Sequence, residues 1–183
     1  MSEEKDTKFN ILDGNQVVFM EAAIEEAKKA AAIGEVPIGA VVVYQGEIIG
    51  RGHNLRETSQ VATTHAEILA IQEANRNRAS WRLAEADLCV TLEPCPMCSG
   101  AMIQSRIKRV YFGAYDQKGG TAGTLMNLLD DRRFNHQVEV IGGVMHEECK
   151  SLLQDFFIEL RKKRKNSSRK PKVENQARCQ DIK

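Results

Sequence analysis

The chain has 183 residues, a net charge of +1, five cysteines and 42% apolar side chains. That length fits one domain able to bury roughly two thirds of its unfolded surface, and no apolar run approaches the ~18 residues of a membrane span. Met1 to Phe9 is polar and acidic rather than basic then apolar, and Cys89, Cys149 and Cys179 show no framework spacing. A secretion leader and a disulfide scaffold are therefore not expected, and the composition points to a reducing, cytoplasmic setting.

Residues 1–14 read as a polar segment, 15–160 as one folded domain and 161–183 as a basic, flexible tail. Apolar residues at Val17, Met20, Ala23, Ile24, Ala27, Ala30 and Ala31 give a helical period over Gln16 to Ile33, ended by Gly34. Ile38 to Tyr44 and Glu47 to Gly52 are β-rich and flank Gln45-Gly46, the pattern of a hairpin. A helix is predicted from His65 to about Arg78, with Thr63 or Thr64 as its N-cap. A strand at Asp87 to Thr91 leads to a helix from Pro94 to about Ser105, then a strand at Arg109 to Gly113. Gly119, Gly120 and Gly123 mark a loop before a short helical stretch at Leu125 to Leu129, and Gln137 to Ile141 supplies a fifth strand. The last helix begins near His146 and carries Cys149, Leu152, Leu153, Phe156, Phe157 and Leu160 on its apolar side. Alternating helices and strands imply an α/β fold, a three-layer α/β/α sandwich around a five-stranded mixed sheet.

Two short stretches carry the chemistry: His65-Ala66-Glu67 and Pro94-Cys95-Pro96-Met97-Cys98. Catalytic zinc is usually held by three protein side chains with water in the fourth position, whereas structural sites are closed by four. His65, Cys95 and Cys98 make three, and Glu67 is a carboxylate left over for proton transfer. Cys95 and Cys98 project together if a helix begins at Pro94, and the free N–H groups of its first turn favour thiolate. His65 and Glu67 lie roughly 200° apart on a regular helix. Both reach one point only if His65 sits at a helix N-terminus, so two helix starts are expected to converge on one ion. The bland alternatives are a redox pair at Cys95 and Cys98, a turn residue at Asn54, and buried apolar cysteines at Cys89 and Cys149. Phe156 and Phe157 are adjacent and point ~100° apart on a helix, so at least one is expected to be ordinary core.

His-x-Glu followed about thirty residues later by Pro-Cys-x-x-Cys is the signature of the zinc deaminases. Within that superfamily the chain resembles the bacterial tRNA adenosine deaminases. The resemblance is carried by Gly34 to Ala40, Gly52-His53-Asn54, Thr64 to Glu67, Glu93 to Ala101, and Asp155-Phe156-Phe157. It implies a cytidine deaminase-like fold, one zinc per subunit on His65, Cys95 and Cys98, Glu67 as proton shuttle, and a homodimer. It also implies that Asn54 and Ala66 contact the purine, and that Asp116, Phe156 and Phe157 lie near the flanking nucleotides. The implied substrate is the wobble adenosine of a tRNA anticodon stem-loop.

From Arg161 to Lys172 there are eight Lys or Arg and no acid, leaving 18 basic against 25 acidic residues elsewhere. Arg161, Lys162, Lys163 and Arg164 are therefore expected to meet RNA phosphates, and a phenylalanine to stack a base. Two other functions stay open on sequence alone: a guanine or cytidine-type small-molecule deaminase, and a nucleic-acid-binding module with a structural zinc.

Overall fold

A computed structural model describes residues 15–167; the predicted polar segment at 1–14 and tail residues 168–183 lie outside the described residues. The elements are α1 (Asn15–Ala32), β1 (Gly39–Tyr44), β2 (Glu47–His53), α2 (Arg56–Ser59), α3 (Ala66–Arg78), β3 (Asp87–Leu92), α4 (Pro96–Ser105), β4 (Arg109–Ala114), β5 (Glu139–Gly142) and α5 (His146–Ser167). The strands form one mixed sheet in the order β2-β1-β3-β4-β5. β1 runs antiparallel to β2 and β3, while β3, β4 and β5 are parallel.

Strand periodicity divides the core into two. Ala40 and Val42 of β1, Leu88 and Val90 of β3, and Val110 and Phe112 of β4 face α3 and α4. Val41, Val43, Cys89 and Tyr111 point the other way, against Met20, Ala23 and Ile24 of α1 and Cys149 of α5. Each fully buried large side chain, such as Phe112 or Met20, contributes about 1.5–3 kcal/mol relative to exposure. The result is the expected three layers: α3 and α4, the sheet, then α1 and α5.

Close backbone approach sets where α3 begins. A Cβ at Gly52 would fall 2.2 Å from the carbonyl oxygen of Ala66, and one at Gly50 would fall 2.2 Å from that of Ala70. These glycines, facing the alanine side of α3, let the helix settle directly on β2. The His65 end is thereby fixed beside the end of the hairpin.

Two expectations are corrected here, and one further element, α2, has no counterpart among them. Leu125 to Leu129 is not a helix: Gly123 donates to the carbonyl of Met126 (3.0 Å), Leu128 to that of Thr121 (3.0 Å), and Ala122 bridges Asn127. With Gly123 at φ +138°, the chain folds back on itself and its backbone groups pair across the loop instead of along a helix. The fifth strand starts two residues later than predicted, at Glu139, because its register on β4 begins at Arg109↔Glu139. The four-residue α2 had no sequence signal, being too short for any apolar period.

Candidate active site and metal centre

Two helices start at the site, each with a potential ligand at its first cap position. His65 is the N-cap of α3 (φ −79°, ψ 154°) and Cys95 the N-cap of α4 (φ −78°, ψ 171°), with Pro96 in the first turn. Both expected helix starts shift: α4 begins one residue after Cys95, and neither Thr63 nor Thr64 caps α3. The Thr64 hydroxyl is engaged elsewhere, donating to the carbonyl of Val61 at 2.8 Å and lying 2.8 Å from the Ser59 hydroxyl. His65 itself leaves the helix with extended torsions, which turns its ring towards the point that Cys95 and Cys98 share. This placement frees His65 and Glu67 from the 200° separation of a regular helix, as the shared site demands.

Nδ1 of His65 lies 3.7 Å from Sγ of Cys95 and 3.6 Å from Sγ of Cys98. All three ligand atoms lie within 4.8 Å of one another, and among the described residues this is the one such group of His, Cys, Asp or Glu side chains. Zinc bonds of about 2.05 Å to nitrogen and 2.3 Å to sulfur, set tetrahedrally, separate nitrogen from sulfur by about 3.6 Å. The donor set and its spacing therefore fit a zinc ion. Glu67 falls outside the ligand group.

Electrostatics agree with a cation-binding cluster. The Cys95 thiol is lowered to about 4, first by a hydrogen bond from Cys98, against the cost of burial, and then by His65. The same shared hydrogen bond, together with burial, pushes Cys98 up. His65 is raised, chiefly by its bond to Cys95. These groups share protons that a metal would displace. Glu67, only 4% exposed, is raised above the ordinary carboxyl range because burial disfavours its charge, and its carboxyl faces the Cys98 thiol.

The remaining predicted residues divide between the site and its surroundings. Ala66 is fully buried next to His65, and Asn54, 5% exposed, ends the hairpin. Leu55 N–H donates to the carbonyl of Thr64 (3.1 Å), tying that strand end to the segment that enters α3. Asp116 lies in the loop after β4, and its amide donates to the Glu93 carboxylate at 3.1 Å. Phe156 and Phe157 are on α5 with rings 5.5 Å apart, edge to face. Phe156 is half-buried, while Phe157 is exposed and lines a cavity of about 630 Å³ with Tyr115, Lys118, Lys150 and Arg161. Arg161, Lys162, Lys163 and Arg164 are exposed on the last turns of α5.

Two buried glutamates tie the surroundings of the site together and carry no local mark in the sequence. Glu35, 1% exposed, accepts from Asn54 Nδ2 (3.1 Å) and from the Thr58 amide (2.5 Å), so it orients the Asn54 amide and caps α2 from outside the helix. Glu93, 2% exposed, accepts several bonds from the loop after β4. Both stand inside the stretches that carry the family resemblance, yet nothing local marks a glutamate as buried.

The MafB19-like deaminase family model matches residues 14–161. The chain is 61% identical over 148 residues to a tRNA-specific adenosine deaminase of Bacillus subtilis, covering 81% of this chain and 92% of that protein. A solved structure from a study of A-to-I editing by tRNA:A34 deaminases at the wobble position of transfer RNA is similar at 40% identity and a TM-score of 0.72, covering 74% of this chain and 99% of that one. A guanine deaminase from Bacillus subtilis is similar at 37% identity and a TM-score of 0.51, covering 54% of this chain and 63% of that one. With the His-Cys-Cys cluster and Glu67 where two helix starts meet, and with relatives matched over most of their length, this chain belongs to the MafB19-like deaminases and, among them, to the tRNA-specific adenosine deaminases.

Proposed function

We propose that this enzyme converts adenosine to inosine at the wobble position of a tRNA anticodon loop, with one zinc per subunit held by His65, Cys95 and Cys98. The observation that carries the reading is the three-ligand cluster with the buried Glu67 beside it and outside it. Zinc, when bound, supplies water activation, lowering the pKa of water towards ~7. Glu67 takes one proton from the attacking water and delivers it to N1 of the purine, then takes the proton of the new C6 hydroxyl and passes it to the amino group as it leaves. A C6–O bond forms, the C6–N bond breaks, and ammonia departs. Asn54, fixed by Glu35, holds the purine by its amide, and the buried Ala66 lines the floor beside it.

Anticodon-loop bases suit this site because they splay out without the cost of opening a duplex. Asp116, Phe156 and Phe157 meet the neighbouring nucleotides, and Arg161, Lys162, Lys163 and Arg164 meet phosphates. Residues 15–160 are the zinc deaminase domain, and 161–183 act as a basic extension. No helix among the described residues is long and apolar enough to cross a membrane. The enzyme acts in the cytoplasm as a homodimer, for which the exposed Leu125, Met126 and Phe134 supply apolar surface.

A free-base deaminase is the competing reading, favoured by the guanine deaminase likeness, which reaches about half of this chain. The purified protein is incubated with an anticodon stem-loop, guanine and cytidine, and ammonia and inosine are measured. Inosine in the stem-loop is expected; turnover of a free base with none on RNA rejects the proposal.

A further inference from the structure

Glu93 follows the end of β3, one residue before Pro94 and two before the ligand Cys95, and its carboxylate is buried with no cation among its donors. Oε1 accepts from the amides of Ala122 and Thr124, each at 3.0 Å. Oε2 accepts from the Asp116 amide at 3.1 Å and from the Thr124 hydroxyl. All four donors belong to one stretch of nine residues, 116–124, that follows β4. Gly120 shows how closely this stretch wraps the carboxylate: a Cβ there would fall 2.3 Å from Cδ and Oε2 of Glu93.

A second set of bonds joins the same two segments. Thr121 donates to the carbonyl of Pro94 from its amide (2.9 Å) and its hydroxyl (3.1 Å), and its hydroxyl lies 2.9 Å from that of Ser99 on α4. The stretch bears Asp116 and Lys118, and Lys118 borders the cavity formed with Tyr115, Phe157 and Arg161. One carboxylate therefore connects the metal-ligand segment to the loop whose outer side faces that basic, aromatic cavity.

We propose that Glu93 is a positioning residue. It holds the 116–124 loop in one shape against the start of α4, so that the surface receiving the nucleotides around the target adenine exists before RNA arrives. The idea rests on the tRNA function proposed above and deepens it: Glu93 governs how well RNA binds and leaves the bond-changing step to Glu67. Preorganisation of this kind appears in affinity, because an enzyme lacking it must order the loop on binding.

Glu93→Gln separates the roles, because its NH₂ turns a donor towards amides that need an acceptor. Hydrogen bonds to a charged acceptor are worth about one to two decades in an equilibrium, so KM for an anticodon stem-loop is expected to rise about ten-fold or more. kcat should stay within about three-fold of the parent, and zinc at one per chain. Hydrogen exchange reads the same event without substrate: the amides of Asp116, Ala122 and Thr124 should exchange about ten-fold faster while those of β3 do not change. Thr124→Val removes one donor and should raise KM by about three-fold, and combining it with Glu93→Gln should add little, because both changes act through the same hydrogen bond. If Glu93→Gln does not fold, Thr124→Val and Gly120→Ala, which crowds the carboxylate, carry the test.

An unchanged KM with unchanged loop exchange overturns the proposal, and so does a fall in kcat at constant KM or a loss of zinc. Failure of the parent enzyme on the stem-loop would instead strike the tRNA function, and the exchange experiment would still decide whether Glu93 holds the loop.

Discussion

The two faces of the sheet are packed for different ends. Beneath α3 and α4 the core includes buried polar groups: Asn54, Glu67, Glu93, Ser99 and Thr121, with Glu35 behind Asn54. Beneath α1 and α5 it is Met20, Cys89, Tyr111 and Cys149 with branched aliphatics, the buried Thr91 hydroxyl is satisfied by the Gly39 amide at 3.1 Å, and the buried carboxylate Glu26 sits at the margin among Lys29, Arg51 and His53. Burying polar groups costs stability unless each finds its partners, so a fold concentrates them where chemistry requires them. Damage to the first face should therefore be read in function, and damage to the second in stability.

The sharpest break is Cys98→Ser at a fully buried member of the proposed ligand set. Bound metal should fall from one per chain to under about a tenth, with no detectable deamination, by elemental analysis and inosine assay. Chelating the metal from the parent should lower its melting temperature by several degrees or more, because an ion that binds only the folded state stabilises it. Next is Glu67→Ala, expected to lower kcat about 10²–10⁴-fold while retaining zinc and fold. Near-normal turnover would remove Glu67 from the mechanism.

On the opposite face, Met20→Ala should cost about 2–5 kcal/mol in a denaturant titration, with kcat/KM of the remaining folded enzyme unchanged. Replacing Arg161 and Lys162 together by Ala on the exposed last turns of α5 should weaken stem-loop binding several-fold at low salt. It should also reduce the salt slope by about 0.7 for each phosphate no longer neutralised. A slope equal to that of the parent would place the RNA elsewhere.

The smallest effect concerns acid. Glu26 is lowered below its ordinary 4.5: burial opposes this, but hydrogen bonds from Lys29 and His53 outweigh it. A carboxyl depressed in the folded state contributes stability above its unfolded value, and that contribution is lost as pH falls through the folded value. Glu26→Gln should therefore slightly destabilise the protein at pH 6 and flatten the loss of stability below about 4.5. A parallel acid limb in the variant would show that other carboxyls set it.

How much of this was legible in the chain follows from how local each signal is. That His65, Cys95 and Cys98 would be brought together could be read because ligand chemistry restricts residue type and spacing over a few positions. The three-layer sandwich could be read because β1, β3 and β4 alternate with helices of clear apolar content. The cap of α3 was misassigned because Thr64 is a good capping residue by type, and only the folded loop shows its hydroxyl engaged with Val61 and Ser59. The Leu125 to Leu129 stretch has helix-forming side chains, yet Gly123 lets the chain reverse and pair with itself. Glu35 and Glu93 were silent because burial of a carboxylate is decided by chain segments remote in sequence.

Neither α3 nor α4 has a side-chain cap: the positions where serine or aspartate usually satisfies the first amides are occupied by His65 and Cys95. An ion gripped there would fasten both helix openings at once, so metal supply and local order become one quantity. Protein deprived of zinc should then be cut by proteases at these two helix entrances sooner than the loaded enzyme.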